Sequence, residues 1–271
     1  MLKADAQTLV SRAWLPSAGT SVAQPVEAGP EAIALPVMEQ DWLGLSFLHW
    51  PYEAAAVQRL VPPQLTVETF DGVAWVGLVL FLLRVRIPHG PALAWIGAFP
   101  ETNVRSYVRG PDGHSGIWFL SLDAPRHLAI WAARLTYRLP YRVAVMHMHC
   151  EKRVRTYASW RRGGPHRGAT SRARVTYEGR IAPLDVPPLA HFLTARWRLY
   201  APLRRGIGTA RVEHAPWALW HADADDIDAR LLVAAGLPAP VGDPLAHACD
   251  DVRASLTRLV RCREAGGCDD E

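Results

Sequence analysis

A carboxylate, an amide, a guanidinium and a phenol recur at every second position of one segment. Glu101, Asn103, Arg105 and Tyr107 alternate with Thr102, Val104, Ser106 and Val108. A period of two puts the first set on one face of a strand. On a half-exposed sheet such a row is simply the wetted face, and taken alone that is its default reading. Inside a closed barrel the same row lines a cavity, where a buried carboxylate with an arginine neighbour can orient a polar ligand or move a proton. Ser121 and Asp123, on the next strand-like segment, extend the row, although Asp123 also stands where a helix cap belongs.

Other groupings carry less. His147 and His149 lie two apart on a strand, which is how sheets gather imidazoles for a metal, but the local sequence supplies no third ligand. A pair of half-buried histidines beside Val143 and Val145 is therefore the reading we adopt. His247, Cys249, Cys262 and Cys268 have no zinc spacing and sit near a tail that reads as frayed. Between Arg153 and Arg174 seven arginines and His166 cluster with Tyr157 and Trp160, a pattern that could track a phosphate backbone. Arg153, Arg155, Arg172 and Arg174 alternate with Val154, Thr156, Ala173 and Val175, however, as on a solvated outer sheet face, so a nucleic-acid partner is not expected.

Composition narrows the chemistry further. The chain has 271 residues and 30 Lys+Arg against 26 Asp+Glu, a net charge of +4 too small to imply a nucleic-acid or membrane partner. Lys3 and Lys152 are the lysines, which leaves 30 − 2 = 28 arginines. Schiff-base chemistry and phosphate-loop ammonium groups thus have almost no candidates. P-loop, G-x-S-x-G, H-E-x-x-H and C-x-x-C motifs are absent, and RGIGTAR lacks the third glycine of a dinucleotide fingerprint. No cofactor is expected. Four cysteines make no disulfide framework, the N-terminus has no apolar signal region, and the apolar run Val73 to Leu83 is well short of the roughly 20 residues that span a bilayer. The expectation is a cytoplasmic protein with no membrane partner.

The elements that must hold these residues are mostly strands. Residues 1–37 read as a loosely ordered extension, with Met38 an alternative start, 38–260 as one domain, and 261–271 as a frayed tail. LGLSFLHW reads as a strand broken by Pro51, Glu53 to Val61 as a short helix ended by Pro62 and Pro63, and Leu65 to Phe70 as a strand. Asp71-Gly72 then turns the chain into a long strand buried on both sides, Val73 to Ile87. Strands follow at Glu101 to Arg109, Gly116 to Leu122, Arg142 to Cys150, Arg153 to Trp160 and Arg172 to Glu178, with shorter ones at Thr209 to His214 and Trp217 to His221. A helix capped by Asp123 carries Leu128, Trp131, Ala132 and Leu135 at helical spacing. Many short strands and few helices imply an α+β chain that is mainly antiparallel β, a barrel or sandwich with helices packed outside.

These stretches resemble a known family. FLHWPYEAAAVQRLVPPQLTVETFDGVAWVGLVLF, FPETNVRSYVR, GIWFLSLDAPRHLAIWAAR with LPY, FLTARWRLY and VEHAPWAL are similar, in order from about Trp42 to Trp220, to signatures of the YqjF-like family, a domain of unknown function grouped with the acetoacetate decarboxylase-like fold. The resemblance implies a closed sheet, or β-barrel, around a mostly apolar cavity with a few external helices, and it moves the polar row into that cavity. Glu101 is similar in position to a cavity glutamate of the decarboxylases. Their lysine pair has no counterpart in SLDAPRHL, and the place of their arginine near the first strand is taken by about His49 or Trp50. Decarboxylase chemistry does not follow from the fold label.

The expected function is therefore binding of a small ligand in the cavity, walled by Phe47, Trp75, Phe81, Trp118 and Phe119. His49, Glu101, Asn103, Arg105, Tyr107, Trp118 and Ser121 are the binding residues. The alternative is a lyase or isomerase without covalent amine chemistry, with Glu101 or Asp123 as general base and Arg105 stabilising an enolate. A third reading is an arginine-rich face that binds nucleic acid. Oligomeric state stays open, with a homo-oligomer compatible with the sequence.

Overall fold

The structure is a computed structural model that describes residues 33–92, 98–125 and 137–263. The apolar run after Trp42 extends in both directions into a long strand, β1 (Met38–Tyr52). Pro51 does not break it: Pro51 pairs with Trp75 on one side, while pairing on the other side stops at His49, so the missing proline N–H interrupts no ladder. After α1 (Ala54–Gln58) come the two-residue strands β2 (Thr66–Val67) and β3 (Thr69–Phe70). Asp71 and Gly72 both take positive φ, 50° and 79°, as a two-residue hairpin turn with right-handed strand twist requires. That turn launches β4 (Val73–Arg86).

β5 (Ala98–Arg109) and β6 (Ser115–Ala124) follow, then β7 (Tyr141–Glu151), β8 (Val154–Arg161) and β9 (Thr170–Arg180). The expected helix beginning at Asp123 falls on residues 126–136, outside the described residues. The rest of the chain is richer in structure than its sequence suggests. It holds α2 (Pro188–Thr194), β10 (Arg198–Pro202), β11 (Ile207–His214), β12 (Leu219–Asp228), α3 (Arg230–Ala234), β13 (Leu245–Cys249), β14 (Val252–Leu256) and β15 (Val260–Arg261). Among the described residues no helix is long and apolar enough to cross a membrane.

Strand pairing closes on itself twice. One circuit runs β1–β4–β5–β6–β10–β11–β14 and back to β1; the other runs β1–β4–β5–β6–β7–β8–β9–β12–β13 and back to β1. β6 pairs in parallel with β7 and β10, and the other pairings are antiparallel. The four strands β1, β4, β5 and β6 are common to both circuits, so each of their faces meets a different core. Phe47, Phe81, Phe99, Tyr107 and Phe119 fill the first interior together with Phe192 and Leu193 of α2. Leu48, Val76, Leu78, Val104, Tyr157 and Val175 fill the second, with α1 and α3 supplying Val57, Leu231 and Leu232. Each such side chain contributes about 1.5–3 kcal/mol on burial, which explains why β4 is apolar at consecutive positions.

One irregularity decides what faces where. Along β5 and β6 the partners run Asn103 with Leu122 and Val104 with Ser121, then Arg105 with Phe119, so Leu120 is an extra residue in β6. A bulge of this kind reverses the facing of every residue beyond it.

Candidate functional site

The first interior collects Glu101, Asn103, Arg105 and Tyr107 from β5 and His49 from β1. His49 and Arg105 both stand opposite Gly77 of β4, one on each side. A Cβ at Gly77 would lie 2.9 Å from the His49 ring and 3.4 Å from the Tyr107 hydroxyl, so only glycine lets that ring lie across β4 toward Tyr107. The His49 Nε2 and the Tyr107 oxygen are 2.6 Å apart. Tyr107 in turn donates its hydroxyl to the Leu193 carbonyl at 2.7 Å, and the same carbonyl accepts from Arg105 Nη2 at 3.1 Å. The carboxyl end of α2 is thereby held over the row.

Arg105 is a buried cation. Its guanidinium rests against the rings of Phe47 and Tyr107, at 5.5 and 5.6 Å, and among the described residues it pairs with no carboxylate. Its Nε, Asn103 Oδ1 and His49 Nδ1 are all buried and have no hydrogen-bond partner among the described residues. The buried His247, two positions from the residue paired with His49, leaves its Nδ1 unpaired as well. Burial, then the Arg105 charge and then His247 hold His49 well below the usual imidazole range. Burial, reinforced by His221, brings His247 to about 4.

Glu101 is farther along the same face. Tyr141 donates its hydroxyl to Glu101 Oε2 at 2.9 Å. Burial raises the Glu101 carboxyl to about 7, against the opposing pull of hydrogen bonds from Tyr141 and Asn103. Tyr141 was not among the expected site residues, though it closes the LPY motif. Arg196, from FLTARWRLY, is a second buried guanidinium near the row: it stacks on Tyr107 at 5.1 Å but is neutralised by Glu68 at 2.7 Å.

Three expected members face the other way. Trp118, Ser121 and Asp123 lie on the second-interior face of β6: Trp118 by plain alternation with Ile117 and Phe119, Ser121 and Asp123 because Leu120 shifts the alternation before they are reached. Asp123 is inside β6, fully buried, with its carboxylate on Arg161 Nη2 at 2.6 Å and Nε at 3.1 Å; Arg161 also donates to Ser121 Oγ. Burial raises the Asp123 carboxyl and Arg161 opposes that rise. Glu101 and Asp123 thus belong to opposite faces of one wall and cannot act on one ligand.

The remaining groupings are also re-sorted. His147 and His149 are exposed on the outer face of β7 and are not half-buried, and among the described residues no group of three or more metal-ligating side chains forms. His247 and Cys249, expected near a frayed tail, sit in β13 between β1 and β12 and are buried. Arg155 is not on an outer face: it shares the inward face of β8 with Tyr157 and stacks on Tyr177 at 5.0 Å. Arg172 and Arg174 do face outward, and Asp226 and Asp225 pair with them at 2.8 and 2.9 Å. Lys152 occupies the exposed tight turn between β7 and β8 with φ 52°, away from both interiors. Two concavities, of about 380 and 540 Å³, are lined by Arg198, Arg211 and Val260 and by Val143, Val145 and Arg162 among others, and neither includes the row.

Sequence comparison places this arrangement. Residues 39–253 match DUF2071, described as an uncharacterized conserved protein. The chain belongs to that family. Over 218 residues this DUF2071 member is 34% identical to the uncharacterized protein YqjF of Bacillus subtilis (strain 168), covering 78% of the chain and 86% of YqjF. Its fold is similar to that of the enduracididine biosynthesis enzyme MppR complexed with pyruvate, with a TM-score of 0.57, 15% identity and coverage of 84% and 91% of the two chains. An acetoacetate decarboxylase-like enzyme from Sphingomonas wittichii RW1 matches at TM-score 0.58 and 12% identity over 85% and 94%. The acetoacetate decarboxylase of Legionella pneumophila matches at 0.54 and 15% over 85% and 92%. The acetoacetate decarboxylase-like fold is thus common to this DUF2071 chain and to enzymes of different sequence; at such identities the likeness concerns fold alone.

Proposed function

We propose that the protein binds a small carboxylate-bearing molecule in the first interior, with Arg105 as the anion's partner. The observation that carries this reading is the guanidinium itself. A buried cation normally has a carboxylate beside it, and leaving a charge-bearing donor unpaired is costly. Arg105 has a carbonyl and two ring faces, and among the described residues its Nε–H has no partner, nor do Asn103 Oδ1 on the same strand and His49 Nδ1 across Gly77. A carboxylate would meet that Nε–H with a charge-assisted bond. Pyruvate, the ligand named for the MppR structure, is the first probe. Calorimetric titration should detect pyruvate or a related small carboxylate binding to the native chain, and Arg105→Gln should weaken it by about 10- to 100-fold. Unchanged affinity in Arg105→Gln, or no carboxylate bound, would overturn the reading.

A second reading is favoured by Glu101. A carboxyl at about 7 can take up and return a proton at neutral pH, as a general base in a lyase or isomerase without an amine must. Exchange of the ligand's α-hydrogen for deuterium in heavy water, abolished in Glu101→Gln, would support it; its persistence in that variant would sink it.

A further inference from the structure

We propose that His49 is locked as its Nε2–H tautomer and presents Nδ1 to the ligand as a hydrogen-bond acceptor, so that the site selects a hydroxy acid over the matching oxo acid. The inference rests on the reading of Arg105 as the carboxylate's partner and adds the ligand's second functional group.

The tautomer follows from counting protons. The Leu193 carbonyl can only accept, and it lies 2.7 Å from the Tyr107 hydroxyl, so the single Tyr107 proton goes there. The 2.6 Å contact between Tyr107 and His49 Nε2 then needs its proton from the imidazole. Were Nε2 bare, two oxygens 2.7 Å apart would face each other without a hydrogen. A neutral imidazole that carries its proton on Nε2 has a lone pair on Nδ1. Protonating Nδ1 as well would put a second buried cation near Arg105, and burial with that charge opposes it. The ring lies over Gly77, and Phe47 is nearly parallel to it, 6.3 Å between centroids and 9° between planes.

The buried atoms of this face that lack a partner among the described residues include one charged donor, Arg105 Nε–H, and two acceptors, His49 Nδ1 and Asn103 Oδ1. Their complement is an anion that also donates. A hydroxyl next to a carboxylate does both. A ketone in its place turns lone pairs toward the Nδ1 lone pair, and a site built around a donor rejects the analogue that lacks it. An ammonium would donate too, but it would stand beside two buried guanidinium groups, Arg105 and Arg196, of which Glu68 neutralises one.

Two measurements on the full chain test this. In long-range proton–nitrogen spectra of protein labelled at histidine, His49 should show a protonated Nε2 and a bare Nδ1; a protonated Nδ1 overturns the inference whatever binds. Titrations with lactate and pyruvate should give at least about tenfold tighter binding of lactate. His49→Asn, whose Oδ1 can stand in for Nδ1, should keep that preference, and His49→Phe should bring the two affinities together; a lactate preference that survives in His49→Phe overturns the role given to Nδ1. Equal or tighter binding of pyruvate by the native protein overturns the selectivity and leaves the carboxylate reading intact. Binding of neither acid overturns both.

Discussion

Glu101 loses almost all contact with water and receives a hydroxyl from Tyr141 and the neighbouring Asn103 amide, which is too little to keep its carboxyl at 4.5; it sits at about 7. Between pH 4.5 and 7 the folded chain then holds a proton that the unfolded chain has released, so this group's contribution to stability falls as pH rises through that window, by ~3 kcal/mol in all. His214 and His247, both brought to about 4 from 6.5, work in the opposite direction, because there the unfolded chain binds the extra proton. The two effects separate in a difference. Urea unfolding at a series of pH values should show wild type losing ~3 kcal/mol relative to Glu101→Gln between pH 4.5 and 7.5. A difference that does not vary with pH would mean the folded carboxyl is ionised throughout. At this scale the sequence was partly legible: alternation alone put Glu101, Asn103, Arg105 and Tyr107 on one face. That the face is dry was not, since a solvated row and a buried row have the same spacing.

Among the elements, β6 shows how a single residue re-sorts a site. Strict alternation places Ser121 and Asp123 with Ile117 and Phe119, and so with Glu101; the extra Leu120 sends them to the other interior, where Arg161 meets them. Nothing in IWFLSLDA marks the extra residue, because apolar side chains precede it on both faces and Leu120 suits either. The consequence is a buried ion pair, for which breaking and replacing differ in outcome. Arg161→Met should destabilise the protein by about 3–5 kcal/mol by stranding the Asp123 carboxylate, and the double variant Arg161→Met, Asp123→Leu should regain most of that loss. Urea denaturation followed by circular dichroism would check both. A mild effect from the single variant would mean that water or another group reaches Asp123. The same element-level logic explains Pro51, which looked like a strand breaker but lies where β1 is paired on one side.

For the whole molecule, the wall β1, β4, β5 and β6 belongs to both circuits, so neither interior can open without exposing it. Amides in the centres of β4 and β5 should therefore exchange with solvent only through global unfolding, with the slowest rates in the chain, and those of β7 and β8, one face of which is exposed, should exchange sooner. Hydrogen exchange read by mass spectrometry decides this; faster exchange in β4 and β5 than in β8 would show that the two circuits open independently. By itself the sequence determined that the chain is mainly strand, that β4 is buried on both faces, that a polar row runs along β5, and that its two lysines lie outside that row, because these depend on local periodicity and on residue identity. Only the tertiary structure decided which interior each polar residue enters, that Arg105 is a buried cation with no carboxylate among the described residues, and that His49, Tyr107 and the end of α2 share one proton chain. Those outcomes depend on strand register, on a one-residue bulge and on contacts between residues far apart in the chain, none of which leaves a periodic trace.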